Sequence, residues 1–320
     1  MAHSTSRRRA WPAVLLFVAI GGAAAFWWPP PEPLPSTGDA VPPLGPRAAP
    51  SAIEQTSRKQ VRAPSHEAPA SAPSPRGGDP VGGASDLRRV FDGGIGSADV
   101  LLRRAAADAF AACVPAFLAG DGDTPSPEPL IGALPPALRS EREAAYRTLY
   151  ARCHGFLGQG RAPLIDLQQR LQAERQLRQP GLQAQEDLLA GRYERVDPLV
   201  AEALRAGDPA AVASLAGLAS RLVLSRHPDT SDAEGLPQAR AVDAALPLVA
   251  CDLGLDCGVD SLGALQLCAA QGLCEGDLRA RLLSRTASDG LDGAAVDAQR
   301  ARLLALIRSG RGSRAVDLIP

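Results

Sequence analysis

The sequence predicts an all-α fold, either an irregular helical bundle or a short array of helical hairpins. Disulfides are expected to cross-link this domain, and a transmembrane helix and a disordered linker are expected to precede it. Aromatic residues make up only 4% of the chain, so its core must be built from Leu, Ala and Val, which suits helices better than sheets. Helix start and stop signals recur after Ser85, without the two-residue alternation of strands. Six cysteines follow a hydrophobic N-terminal segment, which indicates export and disulfide bonds.

The first predicted element is a transmembrane helix over residues 10–28, preceded by a short cytoplasmic segment over residues 1–9. The apolar run would span roughly 28 Å as a helix, close to the hydrocarbon thickness of a bilayer. Three arginines at positions 7–9 favour a cytoplasmic N-terminus by the positive-inside rule. The alternative is a cleaved signal peptide, because the alanines at 23–25 meet the small-residue cleavage pattern. Both interpretations place the remaining chain outside the cytoplasm.

Residues 29–84 are predicted to form a disordered linker. Of the 29 prolines in the chain, 14 lie between Pro29 and Pro80. The segment shows no apolar periodicity, so it cannot bury enough surface to offset the entropy of ordering. Its length would reach roughly 40 Å as a flexible coil and about 170 Å in a polyproline conformation. The expected role is to hold the following domain away from the membrane.

Residues 85–320 are predicted to form the helical domain, which we assign to the periplasm. Ser97 is predicted to cap its first long helix. In the sequence Gly207-Asp208-Pro209, the glycine suits a C-terminal cap, the aspartate an N-cap and the proline the first helical position. Helices are predicted over 98–113, 136–153, 163–179, 238–251, 259–270, 277–284 and 293–308.

The cysteine spacing predicts the disulfides Cys113–Cys153, Cys251–Cys257 and Cys268–Cys274. Residues six apart on an uninterrupted helix lie about 9 Å apart along its axis, too far for a disulfide. Gly254 and Gly272 each fall inside one short interval, where they can end the helix and let the chain turn back. A Cys257–Cys268 bridge is disfavoured, because a helix between the two would hold them about 16 Å apart. The remaining two cysteines then pair with each other.

The sequence offers no catalytic, cofactor-binding or metal-binding constellation. A four-cysteine zinc site is disfavoured, because zinc sites prefer two to four residues between paired ligands. A net charge of −1 lacks the basic footprint of a nucleic-acid-binding protein. His154 and His227 have no recognisable nucleophile and acid to complete a catalytic set. Carboxylates that converge only in the folded chain remain open, which keeps a cell-wall-acting enzyme as an alternative.

A short segment after the linker resembles a family motif. Arg88, Phe91 and Asp92 match the R-x-x-F-D of lipase-specific foldases, whereas Gly93 replaces the tyrosine that follows in that family. The family's members are membrane-anchored periplasmic chaperones with a Pro/Ala-rich spacer and an extended helical domain. The resemblance therefore implies a foldase-like chaperone as a second alternative.

Together these observations predict a single-pass protein of the bacterial inner membrane that is not an enzyme. The N-terminus is expected in the cytoplasm and the helical domain in the periplasm. The expected role is scaffolding or protein interaction, with an unknown envelope protein or cell-wall component as partner. No cofactor and no nucleic acid are expected.

Overall fold

The computed structural model describes residues 79–119, 123–136, 139–226, 235–312 and 314–318. These residues form helices joined by turns, with no strand among them, which confirms the all-α class. In the same ranges, no helix has the length and apolar character needed to cross a bilayer. The predicted cytoplasmic segment, the predicted transmembrane helix and the predicted linker up to residue 78 lie outside the described residues.

In the described part of the chain, the α-helices follow one another with short connections. They are α1 (Leu87–Gly94), α2 (Val100–Ala111), α3 (Val114–Leu118), α4 (Glu128–Gly132), α5 (Arg139–Arg152), α6 (His154–Leu157), α7 (Arg161–Ala173), α8 (Pro180–Leu189), α9 (Val196–Ala206), α10 (Pro209–Ser214), α11 (Leu218–Arg226), α12 (Leu236–Asp252), α13 (Leu262–Gln271), α14 (Leu278–Ser288) and α15 (Gly293–Arg308). Single 3-10 turns cover Arg175–Leu177, Tyr193–Arg195 and Ala315–Leu318.

An N-terminal core is built around four phenylalanines. The ring centroid of Phe110 lies 5.3 Å from that of Phe156, 5.5 Å from that of Phe117 and 5.9 Å from that of Phe91. All four rings are buried, between α1, α2, α3 and α6. Most of the six phenylalanines of the chain are thus concentrated in one small core, where aromatic burial contributes most per residue.

The C-terminal core, formed by α8 to α15, matches the predicted composition. Its buried members are leucines, alanines and valines together with Cys251, and none is aromatic. Helix α12 lies at its centre, in contact with α10, α11, α14 and α15. Its small buried residues, such as Ala239 and Ala245, allow neighbouring helices to approach closely.

The predicted turn between α9 and α10 is confirmed residue by residue. Gly207 adopts a left-handed conformation with φ of 59° and ends α9. The carboxylate of Asp208 accepts a hydrogen bond from the backbone N–H of Ala211 at 2.7 Å, which caps α10. Pro209 is the first residue of that helix, where its missing N–H costs nothing.

The predicted start of the first long helix is wrong by two residues. Helix α2 begins at Val100, and Asp99 caps it by accepting from the N–H of Leu101 at 2.8 Å. The hydroxyl of Ser97 instead accepts from the N–H of Asp99 at 3.0 Å. Both side chains are good caps. Asp99 occupies the N-terminal end of the helix, where its negative charge interacts favourably with the positive end of the helix dipole.

The disulfides join the same pairs that the spacing predicts. Cys113–Cys153, Cys251–Cys257 and Cys268–Cys274 have Cα–Cα distances of 5.5, 5.8 and 4.3 Å. Gly272 ends α13 with φ of 75°, and its N–H donates to the carbonyl of Cys268 at 2.9 Å. Gly254 follows the end of α12 with φ of 108°. Each glycine adopts a conformation that other residues avoid, and this lets the chain turn back between its two cysteines.

The folded domain includes residues 79–84, which their composition places in the predicted linker. Asp79 accepts hydrogen bonds from the N–H groups of Val81 and Gly82, both at 2.9 Å. Val81 is buried, and the carbonyl of Gly82 accepts from the N–H of Leu262 at 2.8 Å. The segment is Gly- and Pro-rich but bonds to the far end of the chain, so composition alone misplaces the boundary.

Candidate functional site

The described domain contains an open cavity of about 450 Å³. Its walls come from residues 79–82, from α2, α8 and α10, and from the segment 255–266 before and within α13. Apolar side chains cover much of the wall, among them Ala105, Ala112, Pro115, Leu182, Ala213 and Leu255. The volume lies in the range of small-molecule and side-chain binding sites.

Acidic side chains line this cavity in excess. The aspartates among the described lining residues are Asp79, Asp99, Asp108, Asp208 and Asp256, and the basic side chains are limited to Arg104. Four of these carboxylates accept backbone hydrogen bonds and so fix turns or helix starts. The exception is Asp108, whose carboxylate accepts from the side-chain amide of Gln179 at 2.6 Å.

Asp108 lies on α2, one turn after Arg104, and faces the cavity. Burial raises the pKa of Asp108 from 3.8 to about 7, because the charged form loses hydration. The hydrogen bond from Gln179 lowers the pKa, and the negative charges of Asp208 and Asp79 raise it further. The positive charge of Arg104 also lowers the pKa and is the smallest of these causes. The side chain keeps partial contact with solvent, which it reaches through the cavity.

Arg104 is buried and already engaged by other groups. Its guanidinium donates to the Glu202 carboxylate at 2.6 Å and to the carbonyl of Gln176 at 3.1 Å. Its charge is therefore shared with an acid outside the cavity lining. The cavity keeps an excess of negative charge for this reason.

The mouth of the cavity has an apolar rim at the start of α2. Leu101 and Leu102 belong to the lining and are 44% and 46% exposed. Val100, beside them, is 36% exposed. Neighbouring exposed apolar side chains beside a cavity are typical of binding surfaces.

The uncharged polar side chains of the lining differ in whether they form hydrogen bonds within the protein. The amide of Gln185 donates to the carbonyls of Ser214 and Ala216 at 3.2 and 3.0 Å. The hydroxyl of Ser214 accepts from the N–H of Gly181 and donates to the carbonyl of Ala211. Gln266 has no hydrogen bond to another described residue. Its amide offers both a donor and an acceptor.

The predicted site residues are the six cysteines, which form disulfides and do not line this cavity. None of the six cysteines belongs to the lining, but Leu255 and Asp256 lie inside the loop that Cys251–Cys257 closes. His154 begins α6 and is exposed, away from the lining, and His227 lies outside the described residues.

The residues of the foldase-like motif support the N-terminal core. Arg88 donates to both carboxylate oxygens of Asp92 at 2.8 Å. Its guanidinium lies 5.8 Å from the ring centroid of Phe91 and 5.3 Å from that of Phe156. Phe91 itself is buried. The domain's own packing uses these side chains.

Fold and site together define an all-helical, disulfide-bonded domain with an acidic, apolar-walled cavity. Comparison with known proteins finds no matching family model, no matching curated protein and no matching solved structure. Within the described ranges, His, Cys, Asp and Glu side chains form no group of three that could hold a metal ion.

The raised pKa of Asp108 gives a testable dependence of stability on pH. Because folding raises this pKa, the folded state holds the proton more tightly, and stability falls as pH rises from 3.8 through about 7. Asp108→Asn keeps an acceptor for Gln179 and is expected to raise the free energy of unfolding at pH 8 by on the order of 2 kcal/mol, with little effect at pH 4. Urea denaturation at both pH values measures this.

The control for this prediction is Asp297→Asn, which removes an exposed carboxylate on α15 outside the cavity lining. It is expected to leave the difference between the two pH values unchanged. The Asp108→Asn variant keeps part of the pH dependence of the wild type, because burial also raises the pKa of Asp243 to about 6. A destabilised Asp108→Asn at pH 8 would contradict the assigned direction.

Proposed function

We propose that this chain is a membrane-anchored envelope protein whose helical domain binds a partner protein in the periplasm through the acidic cavity. The cavity is the observation that carries the proposal. It is open, apolar-walled and rimmed by the exposed Leu101 and Leu102. A concave apolar site with a few polar groups is the usual form of a binding site.

The three disulfides support the proposed compartment. Disulfides persist in oxidising compartments such as the bacterial periplasm and are rare in the cytosol. Every cysteine of the chain is paired in the structure. The proposed anchor at residues 10–28 and the proposed linker after it would place the domain at the outer face of the inner membrane, with freedom to reach a partner.

Binding is favoured over catalysis by what the polar lining groups do. Asp79, Asp99 and Asp208 hold turns and helix starts, and the hydroxyl of Ser214 is engaged on both sides. A nucleophile needs a neighbouring base within hydrogen-bond reach, and Ser214 instead bonds to backbone groups. The cavity therefore presents shape and charge rather than an activated nucleophile.

Site-specific photocrosslinking in intact cells tests this function. A photoreactive amino acid at Leu101, on the rim, is expected to crosslink one discrete protein partner. The matched control is the same residue at Leu283 on α14, which is also 44% exposed but does not line the cavity. Mass spectrometry of the crosslinked band identifies the partner.

A second variant makes this experiment decisive. Ala213→Leu adds three carbon atoms to the cavity wall on α10 and is expected to abolish the crosslink at Leu101 without lowering the melting temperature. Equal crosslinking at Leu101 and Leu283, or a crosslink at Leu101 that persists in Ala213→Leu, would contradict the proposal that the cavity is the binding site.

Asp108 favours one second candidate, an enzyme that acts on the cell wall. A carboxyl group that is protonated near neutral pH, with other carboxylates in the same cavity, resembles the acid of a glycoside hydrolase. This candidate requires the purified chain to release soluble fragments from peptidoglycan, and Asp108→Asn to stop the release. Absence of release by the wild type would dismiss it.

A further inference from the structure

The charge of the cavity selects among ligands. Five aspartates face a space whose single lining arginine, Arg104, already pairs with Glu202. An anionic ligand would be repelled by these carboxylates, whereas a cation would be attracted. The complement of this cavity is therefore a positively charged group.

The apolar lining adds a second requirement. Leu182, Ala213 and Leu255 contribute wall surface without hydrogen-bonding capacity, and the rim at Leu101 and Leu102 is apolar and exposed. A small hydrated cation would leave this surface uncovered. The occupant must carry an apolar part attached to its charge, as an amphipathic side chain does.

Asp108 supplies the carboxylate that a basic side chain would contact. One of its oxygens accepts from Gln179 at 2.6 Å. Each carboxylate oxygen can accept two hydrogen bonds, so the group keeps acceptors for a bound cation. An ammonium is a compact point charge that needs only one of them, so a lysine ammonium on its alkyl stem fits the site.

Gln266 adds a half-exposed amide to the cavity wall, within reach of a bound segment of the partner. Its side-chain amide lies in the cavity wall without a hydrogen bond to another described residue. It offers one acceptor and two donor hydrogens, the complement of a peptide group. The apolar rim outside would cover the neighbouring side chains of such a segment.

We propose that the cavity binds a segment of the partner protein that inserts a lysine side chain, with its alkyl stem against the apolar walls and its ammonium at Asp108. This inference rests on the proposed function and specifies the chemistry of the partner. The groups that face Asp108 are Gln179, Asp208, Asp79 and Arg104, and the two acids add to the attraction. A bound ammonium favours ionised Asp108, so binding strengthens as pH rises.

Matched peptides test the inference on the full-length chain in lipid nanodiscs. The probe is a fluorescently labelled pentapeptide, Leu-Leu-Lys-Leu-Leu, with capped ends. Two companions replace the lysine by norleucine or by glutamate. At pH 8 the lysine peptide is expected to bind at least tenfold more tightly than either companion, as measured by fluorescence anisotropy. At pH 5.5 this preference is expected to shrink.

Two variants locate the effect. Asp108→Asn is expected to reduce the preference for lysine over norleucine to less than twofold, and Asp297→Asn to leave it intact. Equal affinity for the lysine and norleucine peptides in the wild type, or no binding of either, would overturn the lysine assignment. Displacement of the lysine peptide by dispersed phosphatidylethanolamine, whose headgroup carries an amine, would overturn the polypeptide source.

The outcomes for the two proposals are separable. A crosslink at Leu101 that Ala213→Leu abolishes, together with no lysine preference, leaves the cavity as the binding site and removes only the lysine. If the wild type shows neither the crosslink at Leu101 nor a preference for the lysine peptide, the cavity is not the binding site.

Discussion

Replacing Cys113 and Cys153 together by alanine is expected to lower the free energy of unfolding by about 4 kcal/mol. The bridge closes a loop with a sequence separation of 40, the longest of the three, and so restricts the unfolded chain most. Both residues are fully buried in the N-terminal core, so their removal also leaves packing defects. Denaturation of the purified chain, followed by circular dichroism, measures the loss.

The matched control for this bridge is the pair Cys251→Ala and Cys257→Ala. Their loop has a separation of only six residues, and its removal is expected to cost about 2.4 kcal/mol. A titration of the unreduced, denatured wild type is expected to find no free thiol. Six free thiols would contradict both the pairing and the proposed compartment, and so would a protein that folds unchanged after reduction.

Phe110→Ala is expected to destabilise the protein by about 3–5 kcal/mol, the range for deleting a buried aromatic ring. The ring is 2% exposed and contacts the rings of Phe91, Phe117 and Phe156. Its removal would leave a cavity at the centre of the aromatic cluster and remove each of these ring contacts. Thermal and urea denaturation measure the effect.

Two further variants test whether packing is the cause. Phe110→Leu keeps an apolar side chain of intermediate size and is expected to cost less than half as much as alanine. Leu189→Ala, at a position that is 72% exposed, is expected to change stability by under about 0.5 kcal/mol. Similar losses for Phe110→Ala and Leu189→Ala would rule out the assigned core.

Local signals explain why much of the fold could be predicted from sequence. The helix Gly293–Arg308 has the predicted bounds, because the segment between its two ends contains neither proline nor a further glycine. The cap, the left-handed glycine and the first-turn proline at 207–209 act within three residues. The short disulfide pairs follow from glycines inside their own loops. In each case the deciding interaction lies within about one helical turn.

Interactions between distant segments could not be predicted. Asp108 and Gln179 are separated by 71 positions, and Arg104 and Glu202 by 98. Their proximity depends on where the fold places Gln179, just before α8, and Glu202, on α9, relative to α2, and the sequence carries no local signal for that placement. One clue was available: Asp108 interrupts the alanine-rich segment 105–112, where a lone acid on a helix with a buried face indicates a special environment.

The same reasoning explains the misplaced start of the domain. Residues 79–84 contain Pro80 and glycines, as the linker does, and have no periodicity. Their order comes from bonds to residues far along the chain, such as Leu262 and Asp256. The composition of a segment indicates whether it would fold in isolation. It does not predict the hydrogen bonds that distant residues form with it.

The connectivity of the three bridges has a consequence for how the protein matures. Each cysteine pairs with the next one along the chain, so no loop encloses or crosses another. Six cysteines allow 15 arrangements in all, and most of them require a cysteine to wait for a partner beyond its nearest neighbour. Here a polypeptide emerging N-terminus first can oxidise each pair before the following pair appears, so correct maturation requires no reshuffling step.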